Sequence, residues 1–235
     1  MNAINKLWML VLLLAVPMLA SASDAGLHLD KAPGDLGDKA SLQRGAKFFT
    51  SNCLACHSAA YMRYNRLADI GMSLEEIKAM LPEGAKPGST MSAAMDAASA
   101  KMAFGVAPPD LSVVSRVRGT DWLYTYFRSF YVDSKSASGV NNLVFPSVAM
   151  PNVLGYMQGD QELDHATGKL KLVTPGAMST AEFDATIADL VNYLDFMGEP
   201  AKLVRYKLGY IVIGFLFLLL ILSYALKKEF WKDVH

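Results

Sequence analysis

Residues 53–57 read Cys53-Leu54-Ala55-Cys56-His57, and this run limits the chain more than any other feature. CxxCH is the attachment pattern of a c-type haem. Two thiols that add across the vinyl groups of one haem edge must lie about one helical turn apart on one face. The histidine directly after them then brings its imidazole under the iron. A bare CxxC would equally suit a redox dithiol or half of a zinc site. The adjacent histidine favours haem. The chain of 235 residues holds 2 cysteines, which excludes a disulfide scaffold and an all-cysteine zinc or iron–sulfur site.

The two ends fit that chemistry. Lys6, the apolar run from Leu7 to Val16, Pro17 and the triplet Ala20-Ser21-Ala22 read as a secretory signal over residues 1–22. Ten helical residues rise only about 15 Å, half a bilayer core, which argues against an uncleaved anchor. Leu208 to Leu226 is a run of 19 residues without a charge, rising about 28 Å as a helix. Lys202, Arg205 and Lys207 precede it, and Lys227, Lys228 and Lys232 follow it. Tyr206, Tyr210, Tyr224 and Trp231 sit at its edges as an aromatic belt does. Three bases on each side give no orientation, but the signal does. The expectation is an exported domain over 23–205, a transmembrane helix over 206–226 and a cytoplasmic tail over 227–235. Haem is attached outside the cytoplasm, so compartment and motif agree.

Charge and composition narrow the function further. Lys+Arg and Asp+Glu are 22 each, which argues against a dedicated nucleic-acid binder. At 52% hydrophobic and 19% charged, the chain is too apolar for disorder. Residues 23–200 hold 15 bases and 20 acids, a balance compatible with a basic docking partner.

The middle of the chain reads mainly as helix. Residues 24–40 are an irregular lead-in, and Leu42 to Asn52 has a helical apolar pattern. Ser73 and Glu76 form a capping box for Leu74 to Leu81, and Ser179 and Glu182 another. The second opens a helix with Phe183, Ile187, Leu190, Val191 and Leu194 on one face. Thr120 to Tyr131 is aromatic and helical, with Thr120 or Asp121 as cap. Gly84 to Ala103 reads as small-residue helix or loop. Ser134 to Asn142 is turn-like, Gly155 to Leu172 is a small hairpin or loop, and no good strand run is visible.

A haem iron needs a sixth ligand or an open site. His235 lies beyond the membrane run, and His28 and His165 read as solvated. Among the 13 methionines Met150 stands out, because Pro151 biases it to an extended backbone in an apolar loop, Phe145 to Asn152. Met72, Met80, Met91, Met95, Met102, Met157, Met178 and Met197 read as packing or loop residues. Pro108-Pro109-Asp110-Leu111-Ser112 is a rigid turn whose Asp110 or Ser112 can cap the next helix. Arg116 and Arg118 come next, and an arginine near a haem can pair with a propionate.

Together these residues resemble the cytochrome c1 family, the haem subunits of the cytochrome bc1 complex (ubiquinol–cytochrome c reductase). The match includes Arg44-Gly45, Cys53 to Ser58, Tyr64 with Arg66, Pro108 to Ser112, Arg116 to Gly119, Ala149-Met150-Pro151 and the C-terminal apolar helix. The resemblance implies a mainly α, class I cytochrome c-like haem domain with inserted loops and one transmembrane helix. It implies one haem c held by Cys53 and Cys56, with His57 and Met150 as axial ligands, Arg118 at a propionate and Pro109 against the ring. It implies cytochrome b, a Rieske iron–sulfur protein and a cytochrome c acceptor as partners, in a dimeric complex. The short chain without an extra cysteine pair fits bacterial members, and so the inner membrane with the haem domain on the periplasmic side. Trp122 stands where family members commonly have tyrosine, so a bond from that ring to a propionate would use the indole N–H. Two other readings compete: another membrane-anchored cytochrome feeding an oxidase, and a haem sensor or peroxidase with an open sixth site.

Overall fold

A computed structural model describes residues 28–233. The expected signal, residues 1–22, and His235 lie outside them. The lead-in ends at Asp38, whose carboxylate accepts the Ser41 N–H and starts α1 (Lys39–Asn52). Leu42, Ala46 and Phe49 form the buried face of α1. The CxxCH run begins where α1 stops. Then come β1 (Ala59–Arg63), a 3-10 helix over Tyr64–Ile70, and α2 (Leu74–Ala79) with the expected capping box. β2 (Thr90–Met91) pairs antiparallel with β1, and α3 (Ala97–Phe104) follows under an Asp96 cap. The ambiguous stretch 84–103 is therefore loop, short strand and helix in turn.

α4 (Val114–Arg118) and α5 (Thr120–Arg128) are joined by Gly119 at φ 85°. No side chain caps α5, against the expected Thr120 or Asp121; the Asp121 carboxylate instead accepts the Ala32 N–H of the lead-in at 2.9 Å. α5 also stops sooner than its aromatic pattern suggests. Phe130 to Val132 form β3 (Phe130–Val132), which pairs with β4 (Val140–Asn142). Pairing to a distant segment overrides the local period there. α6 (Gly155–Gln158) leads into a hairpin of β5 (Gly159–Asp164) and β6 (Lys169–Pro175). This hairpin realises the one expected between Gly155 and Leu172, running on to Pro175; the other strands, of two to five residues, are too short to show a period in the sequence.

α7 (Thr180–Gly198) opens on the Ser179–Glu182 capping box and buries all five of its expected apolar residues. It crosses α1 at Gly45. A Cβ at Gly45 would lie 2.1 Å from the Asp189 carbonyl oxygen and 2.7 Å from the Tyr193 Cβ, so glycine alone permits this approach. Phe49 packs on Tyr193 beside it with ring centroids 5.6 Å apart. Arg44 grips the Asp189 carboxylate with two bonds of 2.5 and 2.8 Å. α5 lies on the same helix, and Arg128 joins α5 to Asp184 at 2.6 Å and to Asp30 of the lead-in at 2.6 Å. This helix frame leaves the haem motif at one end of α1, facing the loops before α4 and after β4.

α8 (Lys202–Phe230) follows with 29 residues, none of them buried. Among the described residues it is the one helix long and apolar enough to cross a membrane. Three of its expected flanking bases are paired: Lys202 with Asp195 at 2.8 Å, Arg205 with Glu199, and Lys232 with Glu229 at 3.7 Å.

Candidate haem-binding cleft

The first wall of the site is the CxxCH turn. The Cys53 N–H closes α1 on the Phe49 carbonyl, and the N–H groups of Cys56 and His57 both return to the Cys53 carbonyl at 3.1 and 2.8 Å. This turn sets both sulfurs and the imidazole around one cavity of about 270 Å³. All six residues expected at the site line it: Cys53, Cys56, His57, Pro109, Arg118 and Met150. The two thiols are not bonded to each other. Burial, with the neighbouring Cys56, pushes the Cys53 thiol up to about 12. A redox dithiol needs the opposite shift, so that reading loses ground.

His57 shows which nitrogen is available. Its Nδ1 lies 2.8 Å from the Pro109 carbonyl oxygen. A carbonyl only accepts, so Nδ1 carries the proton and Nε2 keeps its lone pair. Burial lowers the His57 pKa, against the smaller opposing pulls of the Pro109 carbonyl and Asp110. A neutral imidazole oriented by its second nitrogen is the usual form of a metal-binding histidine.

This wall is fastened many times. The Leu111 N–H bonds the Ser58 carbonyl at 2.8 Å. The Asp110 carboxylate accepts the N–H of Ala60 and of Ser112, both at 2.8 Å, and Ser112 Oγ accepts the Tyr61 N–H at 3.0 Å. Ser58 Oγ accepts the Ala93 N–H, while the N–H groups of Ala94 and Met95 reach the carbonyls of Leu54 and Ala55. From the sequence, Asp110 or Ser112 is expected to cap the next helix. Both tie the CxxCH motif to the proline turn instead, and α4 begins at Val114 after Val113, with no side-chain cap.

The opposite wall carries Met150. It descends from β4 through Asn142, which is fully buried. Asn142 Nδ2 donates to the Tyr126 carbonyl at 2.8 Å, and its Oδ1 accepts the N–H of Val144 and Phe145 at 3.0 and 3.1 Å. Ser147 sits at φ 60°, held by an N–H bond of 2.8 Å to Asn141 Oδ1. After Val148 and Ala149 the Met150 thioether meets the Tyr126 hydroxyl, which donates to its sulfur at 3.3 Å. At the mouth the Arg118 guanidinium lies 4.9 Å over the Trp122 ring and 5.5 Å from Phe145. Trp122 in turn stacks on Tyr126, 4.9 Å away and 11° from parallel.

Other candidates fall away from this cavity. His28 and His165 are exposed, and neither lines it. Met72, Met91, Met157 and Met197 are buried in the core, Met91 on a strand and not on a helix face. Arg116 does not line the cavity. Sequence reasoning misses Tyr126 and Asn142 as site residues. Tyr126 is visible only as one of several aromatics, and Asn142 as one polar residue in a turn.

The lining suits a flat, apolar group with a central metal. Among the described residues no three His, Cys, Asp or Glu side chains gather to hold a bare ion. One imidazole and one thioether suffice for iron only where a macrocycle supplies the remaining donors. Two thiols beside the imidazole complete the set that a c-type haem needs.

The model of the Cytochrome C1 family matches residues 31–234. The chain is 51% identical to a protein of Nitrosomonas europaea described as ammonia monooxygenase gamma subunit, covering 97% of this chain and 98% of that one. It is 47% identical to cytochrome c1 of Allochromatium vinosum, covering 98% of this chain and 100% of that one. Cytochrome c1 of Rhodospirillum rubrum is 27% identical over 95% of this chain and 94% of its own. A solved chain described as hyperthermophilic respiratory Complex III shares the fold, with a TM-score of 0.50 at 17% identity over 99% of this chain and 98% of that one.

Proposed function

This chain belongs to the cytochrome c1 family, the haem-bearing electron-transfer subunits of quinol–cytochrome c reductase, and from that premise we propose how its own residues do the work. Cys53 and Cys56 would hold one haem c through two thioether bonds. His57 Nε2 and the Met150 sulfur would ligate its iron. Arg118 would meet a propionate at the mouth, and Pro109, whose carbonyl orients His57, would pack on the ring. The haem supplies a one-electron iron couple.

The observation that carries this reading is the His57–Pro109 bond of 2.8 Å in the cavity that also holds both thiols and Met150. Filling both axial positions keeps oxygen and peroxide off the iron and raises its potential. That weighs against the sensor or peroxidase reading. It weighs equally against carrying oxygenase chemistry over from the name of the Nitrosomonas europaea relative. The chain passes electrons and is not an enzyme alone.

The same reading supplies partners and placement. Cytochrome b holds the chain in the membrane complex, the Rieske iron–sulfur protein is the donor, and a cytochrome c is the acceptor. The complex is dimeric. α8 crosses the bacterial inner membrane, the haem domain is periplasmic, and the short tail after α8 is cytoplasmic. Purification through a tag on this chain tests the assembly: cytochrome b and the Rieske protein should co-purify, and their absence contradicts the reading. Protease added to intact spheroplasts should digest the haem domain and spare the tail; protection of the haem domain refutes the orientation.

A further inference from the structure

We propose that the Tyr126 hydroxyl sets the redox potential of the site by donating a hydrogen bond to the Met150 sulfur; this rests on the reading that Met150 binds the iron. The O–H to sulfur distance is 3.3 Å. Among the described residues the hydroxyl has no other hydrogen-bond partner, and Tyr126 is only 8% exposed. Its ring is fixed on three sides, stacked on Trp122 and edge-on to Phe127 and Phe130 at 5.4 and 5.1 Å. Its own carbonyl is held by Asn142, the residue that also starts the Met150 loop. The direction of the O–H is therefore built into the fold.

A thioether is a weak acceptor, so this bond adds little stability for the cost of burying a hydroxyl. Its effect on the metal is larger. A thioether sulfur has two lone pairs. With one given to iron, a hydrogen bond on the other withdraws electron density from the sulfur. Donation to the ferric state then weakens more than donation to the ferrous state, and reduction becomes easier. Tyr126 is a positioning and tuning residue that acts through Met150.

The protein contains its own control. Tyr193 donates to the Met91 sulfur at 3.6 Å, fully buried, and neither residue lines the cavity. The same pair of groups thus occurs on a methionine outside the cavity lining.

The test is redox titration of Tyr126→Phe and Tyr193→Phe in the intact membrane complex, with the weak far-red band of methionine-ligated ferric haem read alongside. Tyr126→Phe keeps every ring contact. It should keep the band and shift the ferric–ferrous equilibrium two- to tenfold toward ferric, the range a net hydrogen bond supports. At 59 mV per tenfold that is a potential lower by about 20–60 mV. Tyr193→Phe should leave the potential in place. A ring-fluorinated tyrosine installed at position 126, a stronger donor, should move the potential upward. An unchanged potential in Tyr126→Phe with the band present overturns the proposal, as does an equal shift in Tyr193→Phe. Absence of the band from the unaltered complex instead overturns the Met150 assignment, and the proposal with it.

Discussion

The two walls of the cleft are held in different ways. The His57 wall is a contiguous motif stitched to three other segments by backbone bonds and by short side chains: Ser58, Asp110 and Ser112. The Met150 wall hangs from one buried asparagine, one serine at φ 60° and one hydroxyl on the sulfur. Where many bonds share a load, each is dispensable. Where a single amide ties one helix carbonyl to two N–H groups of the loop, its loss frees the loop from that helix and strips the buried Val144 N–H of its acceptor. On the proposed reading, the first wall would fix where a haem attaches, and the second would set what its iron can do.

Removing the attachment itself should have the largest effect. The Cys53→Ala/Cys56→Ala double variant should lose all covalent haem, read by haem staining after denaturing electrophoresis. Normal staining would mean that this wall does not attach the group.

Met150→Leu comes next, since it keeps the apolar volume and removes the sulfur. The potential should fall on the order of 100 mV, at 1.4 kcal/mol for every 59 mV of a one-electron couple. The ferrous form should begin to bind carbon monoxide. Met157→Leu is the control; Met157 is 8% exposed in the core and absent from the cavity lining, so its spectrum and potential should stay put. A shift in the control and none in Met150→Leu would reverse the assignment.

Asn142→Ala tests the buried amide of this wall directly. It should cost about 2–3 kcal/mol, lowering Tm by roughly 5–10 °C, and weaken the far-red band while covalent haem remains. Thermal melting with the band followed in parallel separates the two effects. A full-strength band would show that the loop holds itself.

Asp110→Ala makes the matching cut in the other wall and should do least. It removes the acceptor of two N–H groups at a partly exposed site, costing about 1 kcal/mol, with axial ligation unchanged. Equal spectral damage from Asp110→Ala and Asn142→Ala would erase the difference between the walls.

The same contrast explains what the sequence can reveal. Cys53, Cys56 and His57 are legible because their chemistry demands one fixed local spacing. The capping boxes at Ser73 and Ser179 are legible because a helix start is a four-residue event. Met150 is half legible, through the backbone bias that Pro151 imposes. Asn142 and Tyr126 are not legible, since their roles depend on a carbonyl 16 residues away and a sulfur 24 residues away. Asp110 misleads for a similar reason: its partner Ala60 lies 50 residues back, and a local cap is what the neighbouring residues suggest. The crossing at Gly45 is likewise set by Asp189 and Tyr193 on a helix at the other end of the domain.

If His57 and Met150 close both faces of the iron, this chain is an electron carrier and not a sensor or peroxidase. The direct measurement is the optical spectrum of the purified, unaltered complex, oxidised and then reduced under carbon monoxide. The expected result is the far-red methionine band in the ferric state and no change in the c-type haem spectrum on adding carbon monoxide to the ferrous state. A missing band together with carbon monoxide binding by the unaltered c-type haem would contradict it and point to an open sixth site.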